Sequence, residues 1–238
     1  MSGDIMKVSA FSEQVTICIT MGLRPDHLRQ TLESLHPLIS EFPVLAVNDF
    51  GDKETNKAFA DICPAGEVVD LGGHVGHHRA VDTMYRHVRT PYVLHLEDDW
   101  HFVRHNFIQP ALELLEENDA ISIVCLRDVH DFGFEPEEKT KIVSEKYGAT
   151  SYLRLDAMHP QWHGFTFNPH ISRHSDWSAS GGFASFKKER HISRAQRAQG
   201  HAVAYLEPGA CHHIGGEQSI ANAKVSKFRQ FKKWIRGR

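Results

Sequence analysis

Short apolar runs of strand length alternate along this chain with stretches whose apolar residues recur every three or four positions. Residues 15–20 (VTICIT) are β-branched and apolar, the composition of a buried strand. Pro25 stands where a helix would begin, and Leu28, Leu32, Leu35 and Leu38 follow at helical spacing. Residues 43–47 (PVLAV) predict a second strand, 53–62 a helix, and 67–71 (EVVDL) a third strand. Residues 74–88 predict a helix with Val81, Met84, Tyr85 and Val88 on one face. A fourth strand over 91–96, apolar on both faces, precedes a helix over 106–117 and a fifth strand over 120–126 (AISIVCL). Five strands alternating with helices predict an α/β/α sandwich on a mostly parallel central sheet.

After Asp128 the pattern changes. Residues 128–150 are charged and broken by Pro and Gly, which predicts a loop or insert, and short aromatic stretches follow (YLRLDAM, GFTFNPH, SGGFASF). A helix over 188–199, stopped by Gly200, and a strand over 202–206 (AVAYL) lead to CHHIGGEQS. No repeat or linker composition divides the chain, so the expectation is one domain over 1–216 and a tail over 217–238.

In open α/β sheets ligands bind beyond the carboxyl ends of the strands. Three of the predicted strands end in polar residues there: Thr20, Asp49, and the run Glu97, Asp98, Asp99. Three adjacent carboxylates repel one another, and at the end of a core strand a cation would account for them. In extended backbone Glu97 and Asp99 would share a face with Asp98 opposed. Bulk composition narrows the partners. The net charge of −3 argues against a general nucleic-acid binder, and no apolar run of membrane-spanning length or signal-peptide layout is present, so a cytoplasmic protein is expected. The four cysteines are widely spaced, and two lie in strand-like runs, so they read as buried thiols in a reducing compartment.

Taken together, these segments resemble the GT-A (Rossmann-like) fold of nucleotide-sugar glycosyltransferases, and family 2 in particular. VTICITMGLRPDHLRQTLESL is similar to that family's opening strand, loop and helix, and PVLAVNDFGD to its second strand with a terminal Asp. LEDDW sits where the family carries its metal motif, and HHIG resembles its late metal-site histidine. The resemblance implies a nucleotide-sugar-binding half over 14–127 and an acceptor-binding half over 128–216. It also implies Mn2+ or Mg2+, held by hard ligands against a leaving diphosphate.

Residue by residue, the resemblance implies Asp99 and His213 as metal ligands, with His212 left open as the alternative. Glu97, with Asp98 beside it, would meet the donor ribose or a metal-bound water, although Glu replaces the family's usual first Asp. Asp49 and Thr20 would contact the nucleoside, and Arg24 and Arg79 the diphosphate. The family's general base precedes a helix, which points to Glu189, with Asp176 as the second candidate; Arg190 stands where a second acid is usual. The aromatic segment 162–177 would line the acceptor pocket or simply fill the core. His74, His77 and His78 lack a zinc-binding pattern and read as structural.

The implied partners are a nucleoside-diphosphate sugar and a saccharide or lipid-linked acceptor. Over 224–238 (KVSKFRQFKKWIRGR) seven Lys and Arg face no acid, and apolar residues recur at helical spacing. That pattern fits a membrane-surface contact, such as the inner face of a cell membrane, as well as a docked helix. The rival functional classes are a glycosyltransferase-like nucleotide-binding module without catalysis and a nucleotidyltransferase. The latter would carry a Gly-rich basic loop after the first strand, which TMGLRPDH does not provide.

Overall fold

The computed structural model describes residues 11–215, so the basic tail lies outside the described residues. In chain order the strands are β1 (Val15–Met21), β2 (Val44–Asn48), β3 (Glu67–Val69), β4 (Tyr92–Glu97), β5 (Trp100–Phe102), β6 (Ile121–Cys125), β7 (Val143–Tyr147), β8 (Thr150–Arg154), β9 (His170–Arg173), β10 (Ala202–Glu207) and β11 (Cys211–His213). The α-helices are α1 (Pro25–Ser34), α2 (His36–Ile39), α3 (Lys53–Ile62), α4 (His77–Tyr85), α5 (Ile108–Glu117), α6 (Pro136–Lys139), α7 (His174–Ala179) and α8 (Glu189–Ala198).

Nine strands form one sheet in the order β3-β2-β1-β4-β9-β6-β10-β8-β7, and β5 pairs with β11 in a small second sheet. Strands β3, β2, β1 and β4 run parallel, as do β6 and β10. The mixed α/β sandwich with a mostly parallel sheet is therefore as the hydrophobic pattern predicts. Helix α1 shows why. Pro25 opens it, and Leu28, Leu32 and Leu35 are fully removed from solvent on the sheet. Burying each stabilises the fold by about 1.5–3 kcal/mol.

The second half corrects the expectation of an irregular insert over 128–150. Residues 143–154 form a hairpin, β7 and β8, turning at Gly148-Ala149 on the edge of the sheet. Strand β9, unforeseen within the aromatic segment, lies between β4 and β6 and is antiparallel to both. The predicted helix over 74–88 is shorter, because Gly73 and Gly76 hold positive φ and the helix starts only at His77. All four cysteines are buried free thiols, as expected.

Candidate active site

The carboxylate run begins where β4 ends. Thr20 and Glu97 are register partners on β1 and β4, so their side chains share the face covered by α4. Beyond Glu97 the chain bends at Asp98-Asp99 before starting β5. That bend overturns the strand-alternation expectation. Asp98 and Asp99 do not point apart; they converge on one guanidinium. Arg24 places one terminal nitrogen 2.5 Å from Asp98 Oδ1 and the other 2.5 Å from Asp99 Oδ2. Gly22 N–H also donates to Asp98 Oδ2 at 3.0 Å.

Helix α1 holds the bend through hydroxyls. Thr31 Oγ1 donates to Asp98 O and accepts from Trp100 N–H, both at 3.0 Å, and Ser34 Oγ accepts from Phe102 N–H. Ile214 N–H donates to Asp99 O at 2.9 Å, so the backbone of both aspartates is fixed. Pairing of β11 with β5 sets His213 opposite Trp100 and brings its Nε2 to 3.1 Å from Asp99 Oδ2. His212 is excluded from this cluster, since its Nδ1 lies 2.8 Å from Asp131. Gly215 passes so close that a methyl group there would run into Asp99 and His213.

The electrostatics follow from burial. Burial pushes the Asp99 carboxyl up, but the hydrogen bond with His213 and the Arg24 charge outweigh it and leave Asp99 below its ordinary value. Asp98 rises to about 6: burial dominates over Arg24 and the Gly22 N–H. Glu97 is raised well above the ordinary range by burial, then by the charges of Asp99, Glu189 and Asp98. Arg24 is held in its charged form: burial opposes the charge, and Asp98 and Asp99 more than offset that.

Glu189 is the first residue of α8 and half-buried. Burial raises its carboxyl above the ordinary value against hydrogen bonds from Thr166 and the Phe167 backbone and the nearby His78. Its charge contributes to raising Glu97, so the two carboxyls lie within electrostatic range of each other. Asp176 does not join them. Strand β9 sets Arg173 opposite Tyr92, at the start of β4, which is ~16 Å of extended chain from Glu97. Asp176 follows on α7 at that far rim, with its carboxylate 3.2 Å from Arg173. The antiparallel strand β9 thus delivers the second base candidate to the opposite end of β4 from Glu97.

Asp49 lies at the carboxyl end of β2, but its carboxylate is already engaged. It accepts from Val75 and Gly76 N–H and approaches His74 Nδ1 at 3.0 Å, which ties down the loop leading into α4. His74 in turn stacks on the exposed ring of Phe50. Arg79 is exposed on α4 and makes no ion pair among the described residues. In the aromatic segment, Phe165 and Phe167 are buried and fill the core rather than line an open pocket.

One structural carboxylate gave no local signal. Asp82, buried within α4, accepts from Trp177 Nε1 at 2.7 Å and from Phe183 and Ala184 N–H at 2.8 Å. It anchors the loop between α7 and α8, and so the start of α8 where Glu189 sits. Its partners are far away in sequence, so neither spacing nor periodicity marks it.

The donors at the bend, a carboxylate and an imidazole, are of the types that hold Mn2+ or Mg2+. Asp99 Oδ1 is buried with no hydrogen-bond partner, and Asp99 Oδ2 and His213 lie side by side. Among the described residues no cluster of three or more potential ligands occurs.

A mostly parallel α/β sheet with converging carboxylates beyond a central strand is an arrangement shared with nucleotide-sugar glycosyltransferases of the GT-A fold. The sequence model described as "Glycosyl transferase family 2" matches residues 16–192, and the chain belongs to that family of enzymes. No curated protein gives a sequence match. Solved structures share the fold. The mannosyltransferase PcManGT from Pyrobaculum calidifontis, in complex with GDP-Man and Mn2+, superposes with a TM-score of 0.63 at 13% identity, covering 92% of this chain and 66% of that one. S. aureus TarS 1-349 in complex with UDP-GlcNAc gives 0.61 at 11% identity, covering 88% and 61%. The chain thus spans under two thirds of the length of these neighbours.

Proposed function

We propose that the protein transfers a sugar from a nucleoside-diphosphate sugar to a hydroxyl of a saccharide or lipid-linked acceptor, using a divalent cation and inverting the anomeric centre. The observation that carries this reading is the convergence of Asp98, Asp99, Arg24 and His213 beyond the end of β4, with the Glu189 carboxyl within electrostatic range of Glu97 on the same strand end. The neighbour solved with GDP-Man and Mn2+ supports both the donor class and the metal.

In this reading Asp99 and His213 hold Mn2+ or Mg2+, which supplies positive charge against the diphosphate as it leaves. Thr20 and Glu97 flank the donor ribose, and the loop that Asp49 ties down shapes the nucleoside pocket. Arg24 and Arg79 meet phosphate oxygens, since a guanidinium fork matches them. Glu189 takes the acceptor proton. Burial raises its carboxyl above the ordinary value, which strengthens it as a base, and the N-terminal end of α8 favours its charged form. A single base opposite a leaving diphosphate makes one displacement, hence inversion. The domain is read as residues 1–216, with the donor held by 14–127 and the acceptor by 128–216. The tail over 224–238 is read as a contact with an anionic membrane surface, which suits a lipid-linked acceptor in surface polysaccharide or glycolipid assembly.

The test is calorimetric titration of GDP and UDP with and without Mn2+ on the wild type and D99A. Manganese-dependent binding of one nucleotide, lost in D99A, is the expected result. Folded wild-type protein that binds neither nucleotide would sink the reading.

A further inference from the structure

We infer that Arg24 is the resident counter-ion of the Asp98-Asp99 pair and is exchanged for the cation as the donor diphosphate enters, so that metal and nucleotide load together. The inference rests on the donor-site reading above and specifies how that site fills.

The first argument is charge. Asp98 and Asp99 are 2% and 5% exposed, and two buried carboxylates side by side require a cation. Arg24 bridges both. A divalent ion approaching Asp99 and His213 would meet the guanidinium nitrogen already on Asp99 Oδ2. Cation and guanidinium repel at that separation, so the ion binds well only once Arg24 lets go of Asp99.

The second argument is unmet bonding. Asp99 Oδ1 and Arg24 Nε are both buried without a hydrogen-bond partner, so the bridge leaves one acceptor and one donor of the same ion-pair cluster unsatisfied. A diphosphate has oxygens for the Arg24 fork, and a metal takes the free Asp99 oxygen. Each ligand therefore satisfies what the other displaces.

The third argument is the backbone. Arg24 is the N-cap of α1 and non-helical, and Leu23 before it is the one non-glycine residue with positive φ among the described residues, at 59° and 52% exposed. Such a conformation is costly for a branched side chain and concentrates at functional sites. The Arg24 side chain is itself 20% exposed, so it can swing toward the rim without unpacking α1.

Linkage then requires nucleotide to raise the affinity for metal, and metal that for nucleotide, by one factor. The experiment is Mn2+ titration followed by electron paramagnetic resonance, with and without saturating GDP or UDP, on wild type, R24Q, R24K and D99A. Wild type should bind Mn2+ weakly alone and about 10–100-fold more tightly with the nucleotide. R24Q should bind Mn2+ alone about tenfold more tightly than wild type, with the nucleotide effect reduced. R24K keeps the charge but not the fork, so it should resemble wild type with Mn2+ alone and show weaker coupling. If wild type binds Mn2+ equally with and without nucleotide, or Mn2+ binding is unchanged or weakened in R24Q, the exchange is wrong although the donor site stands. If wild type binds neither ligand, or D99A binds both normally, the donor-site reading fails and this inference with it. Circular dichroism reports folding; should R24Q not fold, loss or retention of coupling in R24K decides.

Discussion

The two halves of the nine-stranded sheet are built on different principles. Strands β3, β2, β1 and β4 are parallel, and three of them end on one rim in the polar groups Thr20, Asp49 and Glu97. Strands β9, β6, β10, β8 and β7 mix directions, so residues from this half reach the same rim by loops and helix starts: His213 from β11 and Glu189 from α8. Parallel strands concentrate charge at their carboxyl ends by topology alone. The mixed half has to import each group separately, and it spends buried anchors such as Asp82 to do so. The halves meet at β4 and β9, where His95 and His170 are register partners with stacked rings.

The sharpest way to break this division of labour is to remove one group from each half. E189Q should lower kcat by about 10²–10⁴-fold while calorimetry shows nucleotide binding intact. In the wild type, activity should fall as pH drops through the raised pKa of Glu189, because the base acts only when deprotonated, and E189Q should abolish that limb of the pH–rate profile. An unchanged kcat in E189Q would remove the second half from the chemistry.

Next in size is the anchor. D82A strands three donors, one buried and two partly buried, and should cost about 2–3 kcal/mol in urea unfolding, with turnover reduced through displacement of α8.

The seam gives a smaller, pH-dependent effect. Burial lowers His77 and His170 to about 4, and His95 well below its ordinary 6.5. A histidine kept neutral in the folded state contributes stability above 6.5 that is lost as pH falls toward 4, because the unfolded chain takes up the proton first. Asp98, raised to about 6, works in the opposite sense over part of that window, with Glu97 beside it. Glu189, also raised by burial, adds to the carboxylate side, so the imidazole contribution is read by difference against a variant lacking one ring. H95L should lose less stability than wild type between pH 7.5 and pH 5 and be nearly neutral at pH 7.5, since neither ring nitrogen of His95 has a hydrogen-bond partner. The same pH dependence in H95L and wild type would contradict the buried neutral state.

The smallest effect is expected at the far rim. D176N should leave kcat/KM within about twofold of wild type, since its pairing with the partly exposed Arg173 is worth little. A large loss of activity would place chemistry at the amino end of β4.

These contrasts explain what could be read from residues alone. Strands β1, β2, β4 and β6 are continuous apolar runs buried on both faces, and such runs announce themselves. Strand β7 (VSEKY) is mostly exposed and polar, and β9 is four residues long, so neither carries a periodic signal. The acidic run stood out as a candidate because a core strand rarely ends in three carboxylates. Its internal arrangement was not. Arg24 reaches Asp98 and Asp99 from 74 and 75 residues away, and the bend that turns both toward it depends on Thr31 and Ile214. The position of Asp176 could not be read for a related reason: the direction of β9 is set by its neighbours and not by HISR.

Both margins of the sheet guard against association. A sheet margin carries a row of unpaired backbone donors and acceptors, an invitation to another chain. Strand β3 offers only three residues, too short a template for stable addition. Strand β7 is longer and exposes Val143 and Tyr147, but Glu145 and Lys146 sit between them and place charge where an incoming strand would have to pack. Replacing that pair with β-branched apolar residues would convert this margin into a nucleus for fibrils, with the polar strand ends across the sheet untouched.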